Sequence, residues 1–101
     1  DVVYLIPGLL DSLDMALDDA YAGKEHGSFL AVSEACMRLA GTADAHGLKV
    51  LKGIANCVER AAQANDMDAV DDLLAELAAS VQNNRKKLEA IYTAYTSQDK
   101  Y

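Results

Sequence analysis

Tryptophan is absent from this chain, and proline and phenylalanine occur once each. With so few aromatics and no alternation of Val, Ile and Thr, nothing reads as a strand, so an all-β or α/β domain is excluded. After Pro7 no residue obliges a helix to break. Cys36 and Cys57 are the only cysteines and have no C-x-x-C spacing, which excludes a disulfide scaffold and a thiolate metal site. Free thiols are the expected state, in a cytoplasmic protein. The two histidines, His26 and His46, stand far apart and form no ligand pair, so no metal and no cofactor are expected. No apolar run approaches the ~20 residues that cross a bilayer, and the opening residues do not read as a signal peptide. Nine Lys and Arg against sixteen Asp and Glu leave a formal charge of −7. Such a balance speaks against nucleic acid and against anionic membrane surfaces as partners.

What is present is helical. Hydrophobic residues make up 51 % of 101 residues, dominated by Ala and Leu, enough for one modest core and one domain over 1–101. Four apolar stripes recur at helical spacing. The first, over 3–22, runs through Ile6, Leu10, Leu13, Leu17 and Ala20, with Pro7 in its first turn and Gly23 as its stop. Lys24 to Gly27 then form a joint. Ser28 caps the second, over 28–45, with Phe29, Val32, Cys36, Leu39 and Ala43 in phase until Gly47 ends it. The third, over 48–64, carries Leu48, Leu51, Ala55, Val58 and Ala62; this phase leaves Cys57 on its flank. Asn65-Asp66 is a stop and a cap, and Asp68, Asp71 and Asp72 crowd the positive end of the fourth helix. That helix, over 67–96, carries Val70, Leu74, Leu77, Val81, Leu88, Ile91 and Tyr95, interrupted at Asn84. Arg85, Lys86 and Lys87 form the one compact basic cluster, a solvated face or a docking patch. Four stripes with short joints predict an antiparallel up-down four-helix bundle.

Two short patterns compete for a functional role. Met37-Arg38-Leu39-Ala40-Gly41 lies in the second stripe, and Ala45-His46-Gly47-Leu48-Lys49 overlaps its end. Further markers accompany the first: Leu5-Ile6-Pro7-Gly8-Leu9-Leu10 at the start, Gly27-Ser28 before it, then Gly47, Val58-Glu59-Arg60-Ala61-Ala62 and Asn65-Asp66. In this order and at these distances the chain resembles the histidine phosphotransfer (HPt) domain of bacterial phosphorelays. In that family a Gly-Asp joint opens the second helix, His-x-x-Lys-Gly follows, and a second Gly-Asp joint opens the fourth. The resemblance covers nearly the whole chain. It puts Met37 where the family has its phosphorylated His, Ala40 where it has Lys, and Gly41 where it has the Gly that admits a partner.

The rival register, with His46 as phospho-acceptor, would put Val50 in place of that Gly and Gly47 in mid-helix, at about 1 kcal/mol against Ala. Helical phase is an independent guide: Met37 lies roughly 130° from the centre of its stripe, towards solvent. Leu30, Glu34 and Gly41 share that outer face, with Ser33 and Ala40 at its border. An apolar face beside a bare glycine reads as a docking surface.

Phosphoryl relay needs an exposed imidazole as nucleophile, and a thioether cannot replace it. The resemblance therefore implies a monomeric HPt-like module without its nucleophile, binding a response-regulator receiver domain or a sensor kinase. Two alternatives stand beside it: an active phosphotransfer protein using His46, and a self-associating structural bundle.

Overall fold

A computed structural model describes residues 2–98. Among them are a 3-10 turn over Val2–Leu5 and four helices: α1 (Ile6–Glu25), α2 (Phe29–Ala45), α3 (Lys49–Gln63) and α4 (Met67–Gln98). No strand occurs among the described residues. Packing follows chain order: α1 lies on α2, α2 on α3, α3 on α4, and α4 closes on α1.

The three joints are built alike. His26-Gly27-Ser28, His46-Gly47-Leu48 and Ala64-Asn65-Asp66 each place a left-handed residue in the middle, with φ of 69° at Gly27, 71° at Gly47 and 58° at Asn65. In each, the amide after that residue donates back to a carbonyl five residues earlier: Ser28 to Gly23, Leu48 to Ala43 and Asp66 to Ala61, at 2.8–3.0 Å. This is the Schellman arrangement, in which an L-residue other than Asn or Asp is strained and Gly is free. The next helix then starts at once. Ser28 Oγ accepts from the Ala31 amide at 3.1 Å, and Asp66 Oδ1 from the Ala69 amide at 3.1 Å. Both expected caps are therefore in place; Leu48 caps α3 without a side-chain bond.

One expected stop is not a stop. The chain continues helical through Gly23 to Glu25, and Gly23 is buried where α1 meets α2. A Cβ there would stand 2.9 Å from the Ala31 Cβ and 3.0 Å from the Val32 amide nitrogen. Gly23 thus serves close helix approach, and Gly27 supplies the left-handed turn that ends α1.

The inward stripes follow the sequence. Leu13, Val32, Cys36, Leu39, Leu51, Val58, Val70, Leu74 and Leu77 are fully enclosed, with Ala20, Ala43, Ala55 and Ala62 between them. Leu9 and Ala16 join this core from α1, and Leu17 and Phe29 only pack against it. The α4 stripe departs from expectation at its far end. Thirty-two residues make α4 about 48 Å long, nearly twice α2. Among the described residues Val81 is its last buried one; beyond it Leu88 and Tyr92 pack on Val3, Ile6 and Leu10, while Ile91 is 54 % exposed and Tyr95 39 %. Ile91 is turned away from the side on which Leu88 and Tyr92 meet the opening residues, and Tyr95 meets the Tyr4 ring edge to face, with centroids 6.0 Å apart, without being enclosed. Arg85 is half-buried and pairs with Asp14 and Glu89, so it is not part of a solvated basic face. Lys86 and Lys87 are exposed.

The glycines give a test with opposite signs. In mid-helix, Gly→Ala gains about 1 kcal/mol of propensity. A methyl group on Gly53 of α3 would meet nothing within 4 Å, so Gly53→Ala should raise the melting temperature by several degrees. Gly23→Ala must push α2 backbone away, at a cost of about 1–3 kcal/mol, and should lower it. Thermal denaturation by circular dichroism checks both.

Candidate functional site

The candidate site is the outer side of α2. Val32, Ala35, Cys36, Leu39 and Ala43 are buried in the bundle, which leaves Leu30, Glu34, Met37 and Gly41 outside, spaced by three or four residues and so aligned on one face. Leu30 is 70 % exposed and Met37 54 %. Gly41 is exposed, and a methyl group there would meet nothing within 4 Å. Nothing in the packing of this chain asks for glycine at that position, whereas at Gly23 the packing does.

Two residues expected at the border of this face are not available on it. Ser33 and Ala40 are each 7 % exposed. Ser33 lies in the crevice where Phe29 and Leu30 meet Ala62 and Gln63 of α3, and Ala40 belongs to the core. Helical phase put them at the rim; α3 closes over Ser33, and Ala40 is enclosed with the core. The outer face is thus narrower than its sequence suggests.

Ion pairs flank it on both sides. Arg38 Nη2 donates to Asp19 Oδ2 on α1 at 2.8 Å, and Lys52 Nζ on α3 donates to Asp44 Oδ1 at 3.0 Å. Both pairs are solvated and contribute little to stability. They do neutralise charge beside an apolar centre. Behind that centre, burial pushes the Cys36 thiol from 9.0 up to about 12, and the carboxylate of Glu59 on α3 adds to the rise.

The histidines stand elsewhere. His46 is exposed and caps the end of α2 in the turn formed by Gly47, while Lys49 opens α3. A histidine with lysine one turn on, mounted on one helix, does not exist there. His26 is exposed, and its Nδ1 lies 2.7 Å from the Ala22 carbonyl oxygen, so the ring closes off the end of α1. Among the described residues no group of three His, Cys, Asp or Glu could hold a metal ion. No helix among them is long and apolar enough to cross a membrane.

Two features escaped the sequence. Met15 on α1 is 67 % exposed and lies in the crevice between α1 and α2 with Asp19, Arg38 and Thr42. Its place opposite the α1 stripe, among Asp11, Asp14 and Asp18, could have disclosed it. The Tyr21 hydroxyl donates to the Leu74 carbonyl at 3.2 Å and ties α1 to α4. No spacing rule signals a bond between residues so distant in sequence. Compared with family models, with curated proteins and with solved structures, the chain matches none.

The thiols yield a pH prediction. Cys36 is buried and Cys57 half-buried, with the Arg60 guanidinium donating to its Sγ at 3.6 Å. An aromatic disulfide reagent should label Cys57 in the native protein and leave Cys36 untouched until unfolding. In the unfolded chain the Cys36 thiol loses its proton near 9, whereas in the fold it holds it to about 12. Across that window the folded state binds more protons, so stability falls as pH rises, by at most about 1.4 kcal/mol per pH unit. Urea unfolding at pH 8 and pH 10.5 should show the loss, and Cys36→Ala should remove this share of it.

Proposed function

We propose that this chain is an antiparallel, up-down HPt-like bundle that has lost its phospho-acceptor and serves as a docking module. Its partner is a receiver domain of a response regulator or a sensor kinase, and its compartment is the reducing cytoplasm. One observation carries the reading: Met37 stands exposed on the outer face of α2, one turn from a glycine that the packing of the chain does not require. The resemblance in sequence puts the family's histidine at that same position.

The chemistry follows from the side chains. Histidine relay begins when an imidazole nitrogen attacks an acyl phosphate, and the Met37 thioether offers no such nucleophile. The transferred group would also need a cation to hold its charge. Ala40 supplies none. What persists is a surface: two large apolar side chains, Leu30 and Met37, beside backbone left bare at Gly41. Apolar anchors beside bare backbone suit close docking of another protein. His46 offers no substitute, because it stands in a turn rather than on the helix face.

The test uses a panel of receiver domains charged with radiolabelled phosphate. No acid-labile, base-stable label should pass to the chain, while calorimetry or fluorescence titration should detect complex formation. Gly41→Leu should weaken that complex roughly tenfold or more without loss of helicity, since the added side chain enters open space in the free protein. Met37→His, with Ala40→Lys if needed, should restore acceptance of label. Label on the unaltered chain that disappears on His46→Ala would sink the proposal.

A further inference from the structure

A second face of the bundle has a pattern of its own. On α4, Asp72, Ala79 and Lys86 are spaced by seven residues, and Glu76 and Asn83 repeat that spacing beside them; all five are exposed. Residues seven apart lie within about 20° of one another on a helix. The face is acidic at one end, small and neutral at the centre, and basic at the other. Among the described residues none of Asp72, Glu76, Lys86 and Lys87 takes part in an ion pair, although Lys24, Arg38, Lys52 and Arg85 all do. Beside this face runs a groove between α3 and α4, lined by Val50, Ile54, Ala79 and Lys86. Val50 is 74 % exposed, the highest value among the exposed large apolar residues described. Gly53 next to it is open to solvent, so the α3 backbone is also approachable there.

We propose that this face binds a second copy of the chain about a two-fold axis at Ala79. The pattern is self-complementary only in the antiparallel sense. Asp72 and Lys86 lie equally far on either side of Ala79, so each Asp72 meets Lys86 of the second copy, and the axis forms that pair twice. Glu76 falls beside Asn83 of the second copy, where an amide can donate to it. Ala79 meets its own counterpart, and so small a side chain lets the two α4 helices approach closely. Each α4 then lies along the other copy's groove and covers Val50 and Ile54. Such an interface is closed: it makes dimers and stops there. It departs from the monomer expected from sequence, and it leaves the outer face of α2, on another side of the bundle, to its own partner.

Sedimentation equilibrium of the full chain over a wide concentration range decides it. In low salt, dimers should form with rising concentration and higher species should not; high salt should weaken them. Val50→Asp should give a monomer of unchanged helicity, since the side chain is already exposed. Asp72→Lys and Lys86→Asp should each weaken dimerisation roughly tenfold, because the axis repeats every change. The double variant Asp72→Lys, Lys86→Asp should regain most of that loss, which general stickiness would not. A chain that stays monomeric in low salt would overturn the proposal and give this face to a different protein or to solvent. Open-ended oligomers, or a double variant as weak as the singles, would overturn it as well.

Discussion

The left-handed residue at each joint is what the rest of the bundle depends on. Gly27, Gly47 and Asn65 turn the chain within three residues, and each turn satisfies the carbonyls that end one helix while presenting the cap or first residue of the next. Because the joints are this short and this similar, the start of each helix is set relative to the end of the one before. The phase of every apolar stripe is then transmitted from helix to helix. A longer or looser joint would let α2 rotate, and the side chains on its outer face would change.

That dependence reaches the candidate site directly. Met37 is exposed because Val32, Cys36 and Leu39 are fully enclosed, and they are enclosed because Gly23 lets α1 come within contact of Ala31. The core is rich in alanine, so the helices pack closely and enclose Ser33 and Ala40. Close packing thus narrows the outer face of α2 to two apolar side chains, a carboxylate and a bare glycine. It also explains the state of Cys36, which lies directly behind this face in a medium that disfavours a thiolate.

Charge is distributed unevenly for a chain so acidic overall. The ion pairs Asp19–Arg38 and Asp44–Lys52 bring neutral flanks to the outer face of α2, and Arg85 is drawn inward to Asp14 and Glu89 where α4 outruns the other helices. Among the described residues the charges of the α4 face have no ion-pair partner in the same chain. A docking role for the first face and self-association through the second are therefore separate properties. They use different helices and answer differently to salt.

Helix count, caps and core phase were legible in the sequence, because each rests on local chemistry: period 3.6, Ser28 and Asp66 as caps, Gly47 and Asn65 as stops. So was the exposure of Met37, which needs only the phase of one helix. Three matters were not local, and only tertiary structure decided them. Gly23 looked like a terminator, since a glycine for close approach and a glycine for a turn are the same letter until a neighbouring helix is present. Ile91 and Tyr95 looked buried, but near its end α4 is covered only by the opening residues of the chain, which meet Leu88 and Tyr92 and leave Tyr95 an edge contact with Tyr4. Ser33 and Ala40 looked like rim residues, since whether a small side chain at a border is reached by solvent depends on how near the next helix comes.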